Sequence, residues 1–155
     1  MDTQTLTATI RAVVNTDVLI SGLLSGIGHA GEIVDRWLAG EFTLLTSDQI
    51  LSECERILAH PTLQQDLRLD NLPKEDLMAL LRDRSEITEV PRSGSPVMVA
   101  NPFDEVVLAS AVAGHADHLV TEEENLLALR EYEGVVIVSP ERFVQLLIHY
   151  QGRLL

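Results

Sequence analysis

Two rhythms of apolar residues alternate along this chain. Short apolar runs at 10–15 (IRAVVN), 42–46 (FTLLT), 118–121 (HLVT) and 135–139 (VVIVS) predict four strands buried on both faces. Between them, apolar residues recur every three or four positions, which is the period of a helix with one buried face. Over 29–40, Ile33, Val34, Trp37 and Leu38 form such a stripe, and Gly40 suits the turn that ends it. Over 47–58, Ser47 is a good N-cap and Ile50, Leu51, Cys54, Ile57 and Leu58 share a face, leaving Glu53 and Arg56 off it. Pro73 and Pro102 mark the first turns of helices over 72–87 and 101–116. The proline- and glycine-bearing stretch 89–97 predicts a surface loop, followed by a short edge strand at 97–100. Strands alternating with helices predict an α/β fold with a central parallel sheet. No repeat or low-complexity segment interrupts the pattern, so residues 1–155 are expected to form a single domain.

Composition narrows what such a domain does. A chain of this length buries roughly 68–70% of its unfolded surface, enough for its own core. No apolar stretch reaches the roughly 20 residues of a membrane span, and the first residues lack the basic and apolar segments of an export signal. Cys54 is the only cysteine and has no partner for an internal disulfide, which fits a reducing cytoplasm. The net charge is −13, from 24 acidic against 11 basic residues, so no general positive field draws nucleic acid to this surface. Phosphate contacts have to be local. Lys74 is the only lysine, and arginine forks are well shaped for such contacts.

Candidate chemistry sits where predicted strands end, because open parallel α/β sheets bind ligands at the carboxyl ends of their strands. Asn15, Thr16 and Asp17 follow the first strand, and Glu53 lies on the helix after the second. Asn101 to Asp104 open the helix before the third strand, and the run 121–125 (TEEEN) follows it. Convergent carboxylates repel one another unless a hard cation such as Mg²⁺ or Mn²⁺ joins them, and that ion also activates water. Each residue has a plainer reading as well. Thr16 and Asp17 suit a helix cap, Glu53 suits an exposed pair with Arg56, Asp104 suits a helix dipole, and the run of glutamates suits a solvated helix start. His29, His60, His115, His118 and His149 lack metal-ligand spacing and read as structural or exposed, and Cys54 reads as a buried small hydrophobe. There is no glycine-rich phosphate loop with a lysine and no G-x-S-x-G elbow.

Taken together, VVNTDVLISGLL, SDQILSECERIL, NPFDEVVLASAVAGHADHLVTEEENLLAL and GVVIVSPERFV resemble, in order, the blocks of a PIN domain, of the kind found as the toxin of toxin–antitoxin pairs. The likeness runs from about Arg11 to Val144. It implies a three-layer α/β/α, Rossmann-like fold and a Mg²⁺- or Mn²⁺-dependent ribonuclease hydrolysing single-stranded RNA. By the same resemblance, Glu53, Asp104 and Glu123 are catalytic, Asp17 is the candidate replacement for the carboxylate missing at Asn15, and all five are expected metal ligands. Thr16, Asn101 and Thr121 support the site, and Arg56, read from its residue type, is a candidate phosphate contact. The chain departs from the family at two places: Asn15-Thr16-Asp17 stands where Asp-Thr-Asn is usual, and Asn101 stands for the first aspartate of Asp-Pro-x-Asp. Glu123 takes the last acidic position, with Asn125 in place of a further frequent aspartate. The resemblance also implies a homodimer and an antitoxin that covers the cleft. The two amides leave a second expectation open, a module that binds RNA or a protein partner without cleaving.

Overall fold

The structure is a computed structural model that describes residues 9–60, 73–90 and 101–154. Its elements in chain order are β1 (Arg11–Val14), α1 (Thr16–Ser25), α2 (Gly28–Leu38), β2 (Thr43–Ser47), α3 (Asp48–Leu58), α4 (Lys74–Asp83) and β3 (Glu86–Thr88). Then follow α5 (Pro102–Ala113), β4 (His118–Val120), α6 (Glu124–Leu127), β5 (Glu131–Tyr132), β6 (Val135–Val138) and α7 (Pro140–Leu154).

Among the described residues, six strands form one sheet in the order β3-β2-β1-β4-β6-β5. Five are parallel, and β5 alone runs antiparallel, against β6. Neighbouring side chains on a strand point to opposite faces, so a strand whose successive residues are all buried must be covered on both sides. Ala12, Val13 and Val14 are all buried in this way, as are Leu119 and Val120. The helices supply the cover. α5 lies along β1, β2 and β4, α3 packs on α4, and α2 packs on both α1 and α7. Helices α1 and α2 meet closely because Gly22 has no side chain: a Cβ there would collide with the Ala30 carbonyl and come within 2.6 Å of Val34 Cγ2.

The four predicted strands are present within a residue at either end. Ser47 caps α3 through its hydroxyl, which accepts from the Ile50 amide, and Pro102 stands at the start of α5. The helix expected over 72–87 is shorter. It stops at Asp83, and residues 86–88 instead join β2 as the parallel strand β3. The sequence conceals this because Arg84 and Ser85 form a turn without glycine or proline, and because Glu86 is held in place by a remote residue, Arg11. β5 likewise escapes the pattern, being two residues long. The expected strand at 97–100 lies outside the described residues. Among the described residues, no single helix is long and apolar enough to cross a membrane.

Candidate active site

The chain runs outward from β1 through β2 to β3, then returns to place β4 on the other side of β1. The strand order therefore reverses between β1 and β4, and a crevice opens at the carboxyl ends of that pair. The residues that leave these two strands are Asn15 and Thr121, and they are joined across the reversal. Asn15 Nδ2 donates to Thr121 Oγ1 at 2.9 Å, and the Asn15 amide donates to the Val120 carbonyl at 2.8 Å. Asn15 is also the N-cap of α1, its Oδ1 accepting from the Thr16 amide at 2.8 Å. Both polar atoms of this buried side chain are thus engaged.

Three acids gather around this junction. Asp17 lies in the first turn of α1 and keeps solvent access, accepting the Val18 amide at 2.8 Å. Asp104 lies in the first turn of α5 and is only 2% exposed, yet among the described residues its Oδ2 has no hydrogen-bond partner. Glu123 is the N-cap residue of α6 and is exposed; its amide donates to Thr121 Oγ1 at 3.0 Å. Burial raises the Asp104 pKa first, and the charges of Glu123 and Asp17 add to the rise. For Asp17, desolvation again leads, amide hydrogen bonds from Val18 and Glu122 oppose it, and the charges of Glu122 and Glu123 push it further up. Among the described residues, no arginine, lysine or histidine is among the charges acting on Asp17 or Asp104.

A buried carboxylate oxygen without a partner, facing two further acids, is the donor chemistry that a hard divalent cation satisfies. As the side chains stand, however, no three His, Cys, Asp or Glu residues among the described ones are grouped so as to hold a metal ion. Asp17 and Glu123 sit at the exposed rim, where a side-chain rotation changes their reach without disturbing the core.

The other predicted site residues are placed differently. Glu53 and Arg56 form a two-pronged pair on α3, at 3.0 and 2.7 Å. That pairing, above all its hydrogen bond, lowers the Glu53 pKa, and Glu53 is absent from the charges acting on Asp17 and Asp104. Asn101 caps α5, its Oδ1 accepting from the Phe103 amide at 2.9 Å. Thr16 is buried; its hydroxyl lies beside the Cys54 thiol and makes no well-shaped hydrogen bond. Burial pushes that thiol up to about 12, which removes it as a nucleophile at neutral pH.

Two features of the site are not apparent from sequence. Glu122 acts on Asp17 both through its charge and through its amide, although only Glu123 occupies a motif position. The Asn15–Thr121 bond joins residues 106 positions apart, and no local pattern announces it.

Comparison with known proteins adds a lineage to this geometry. The family model described as PIN domain matches residues 11–125, well over half of the chain. No curated protein sequence gives a significant match. Among solved structures, the chain is similar to the crystal structure of PAE2754 from Pyrobaculum aerophilum, with a TM-score of 0.53 and 17% identity. That alignment covers 90% of this chain and 96% of the other. At that identity the likeness speaks for the fold.

Proposed function

Since this chain belongs to the PIN-domain family, whose fold is of the nuclease type, we propose that it is a metal-dependent ribonuclease that hydrolyses phosphodiester bonds of single-stranded RNA. The observation that carries the reading is Asp104: a carboxylate buried to 2% exposure, with Oδ2 unpartnered and two other acids acting on it. Left alone, such a group costs stability, and a protein has little reason to retain it unless a cation completes it.

Asp104, Asp17 and Glu123 would hold Mg²⁺ or Mn²⁺. When bound, the ion supplies a lowered pKa for a coordinated water and neutralises charge on phosphate oxygens. The chain's own residues do the remaining work. Asp104 is fixed by the first turn of α5, which Asn101 caps, so its carboxylate is positioned before any ligand arrives. Asp17 and Glu123, at the rim, admit substrate from the solvent side. A surface of net charge −13 repels RNA at a distance, so the approach depends on the cation and on local arginines. Arg56 is a weaker candidate for that contact than its sequence position suggests, because its guanidinium is already committed to Glu53.

The toxin role, an antitoxin partner over the crevice and a homodimer belong to this same reading as inherited expectations. A second reading is favoured by one observation: Asn15 and Asn101, which stand where acids are usual, both serve as helix caps. Under it, the fold binds RNA or a protein partner and does not cleave. Mn²⁺ titration calorimetry together with a cleavage assay on unstructured RNA separates the two. Uptake of Mn²⁺ and Mn²⁺-dependent cleavage, both lost in Asp104→Asn, are expected. A wild-type protein that takes up no ion and cleaves nothing would overturn the enzyme reading in favour of the second.

A further inference from the structure

Asn15 occupies the strand end where a charged ligand is expected, yet its hydrogen bonds give it other work. Its Oδ1 accepts from Thr16 N–H and its Nδ2 donates to Thr121 Oγ1, so neither amide atom is spare. Thr121 Oγ1 in turn accepts the Glu123 amide at 3.0 Å. A continuous path therefore runs from the end of β1, through two buried side chains, to the backbone of the residue that carries the rim carboxylate.

We propose that Asn15 is a positioning residue: it fixes the turn bearing Glu123 by way of the Thr121 hydroxyl, and it leaves cation binding to Asp17, Asp104 and Glu123. The part of this inference that concerns the cation rests on the nuclease reading above; the link from Asn15 to the Glu123 amide does not. The side chains that orient a ligand matter nearly as much as the ligand, and their loss typically costs about 10- to 100-fold in metal affinity.

Because Asn15 acts through Thr121, removing either one has the same consequence, and removing both adds nothing. Thr121 is fully buried, so valine replaces it with little change of shape and no hydroxyl. Asn15→Asp keeps an acceptor for the Thr16 amide, and the Thr121 hydroxyl can turn its own proton toward the new carboxylate while still accepting from Glu123 N–H.

The experiment uses the full chain in two measurements: hydrogen exchange of the Glu123 amide in metal-free protein, followed by NMR, and Mn²⁺ affinity by calorimetry. Asn15→Ala, Thr121→Val and the double variant are each expected to release the Glu123 amide and to weaken Mn²⁺ binding by about tenfold, to the same degree. Thr121→Ser and Asn15→Asp are expected to keep the amide protected. If Asn15→Ala weakens Mn²⁺ binding while Thr121→Val does not, Asn15 is a direct ligand and the proposal is overturned. Additive losses in the double variant overturn it as well. Wild-type protein that takes up no Mn²⁺ would instead defeat the nuclease reading, and the exchange measurement still decides whether Asn15 holds the Glu123 turn.

Discussion

The two ends of the central sheet handle charge in opposite ways. At the amino end, Arg11 grips Glu86 with both prongs, at 3.1 and 2.6 Å, and donates to the Gly114 carbonyl at 2.7 Å. Its own amide donates to Asp117 Oδ2 at 2.9 Å. The pairing raises the Arg11 pKa and lowers that of Glu86, so each partner holds the other in its charged form. At the carboxyl end, Asp17 and Asp104 are raised by burial and by neighbouring acids, and Asp104 Oδ2 meets no donor. One end is electrostatically complete, whereas the other, among the described residues, has no positive group acting on its acids. In a single small fold, that contrast separates charge that the fold itself neutralises from charge that it leaves unneutralised, the state in which functional groups are often found.

The sharpest way to break the contrast is Asp104→Asn. Two unit charges about 4 Å apart interact by roughly 4 kcal/mol at an effective dielectric near 20, so losing one carboxylate from a divalent ion is expected to lower Mn²⁺ affinity by at least about a thousandfold, read by calorimetry. RNA cleavage should fall with it. The same substitution should raise the melting temperature of metal-free protein, because it removes a buried, unpartnered anion. Each kcal/mol regained corresponds to about 2–4 °C in a chain of this size, readable by calorimetry in chelator. A metal-free Asp104→Asn protein that melts below the wild type would show that the carboxyl end is not strained in the way described.

At the other end, Arg11→Met should do the reverse. Both partners of this pair are partly exposed, 32% and 51% at the side chain, so solvent screening limits its worth. The expected cost is about 1 kcal/mol, including the unsatisfied Gly114 carbonyl, with Mn²⁺ affinity unchanged. Thermal melting and calorimetry on the same preparation check both halves.

The smallest effect is in pH. Asp17 and Asp104 have raised folded-state pKa values, so without metal they penalise the fold most fully above those values. The penalty is relieved as pH falls through them toward the ordinary carboxyl range near 4. Glu53 and Glu86 have lowered values and behave oppositely: their contribution is present above the ordinary range and is lost as pH falls through the folded value. The melting-temperature advantage of Asp104→Asn over wild type should therefore shrink as pH falls through the raised folded value toward the ordinary carboxyl range near 4. An advantage independent of pH would locate its origin in packing instead.

The amino acid pattern makes the sheet legible and leaves half of this contrast hidden. β1, β2, β4 and β6 are readable because each holds a short run of buried apolar residues bounded by polar ones, and Ser47 and Pro102 announce their helices by local rules. β3 is not readable, since a short strand with exposed Glu86 and Ile87 carries no period and depends on Arg11, 75 residues away. In the site, the acids are visible as residue types near strand ends. Which of them gather is a matter of topology: Asp17, Asp104 and Glu123 flank the β1–β4 reversal, whereas Glu53 has a ready partner three residues along its own helix. Asn15 is the instructive case. Its sequence position suggests a weakened ligand, while its two side-chain hydrogen bonds, one of them to the residue just past the end of β4, describe a brace.

The borders of the sheet have a consequence for how these molecules behave in a crowd. Among the described residues the outermost strands are β3, with three residues, and β5, with two, and each carries an exposed glutamate, Glu86 or Glu131. Stretches so brief and so charged give a foreign backbone little to zip onto, which guards against strand-by-strand stacking into aggregates.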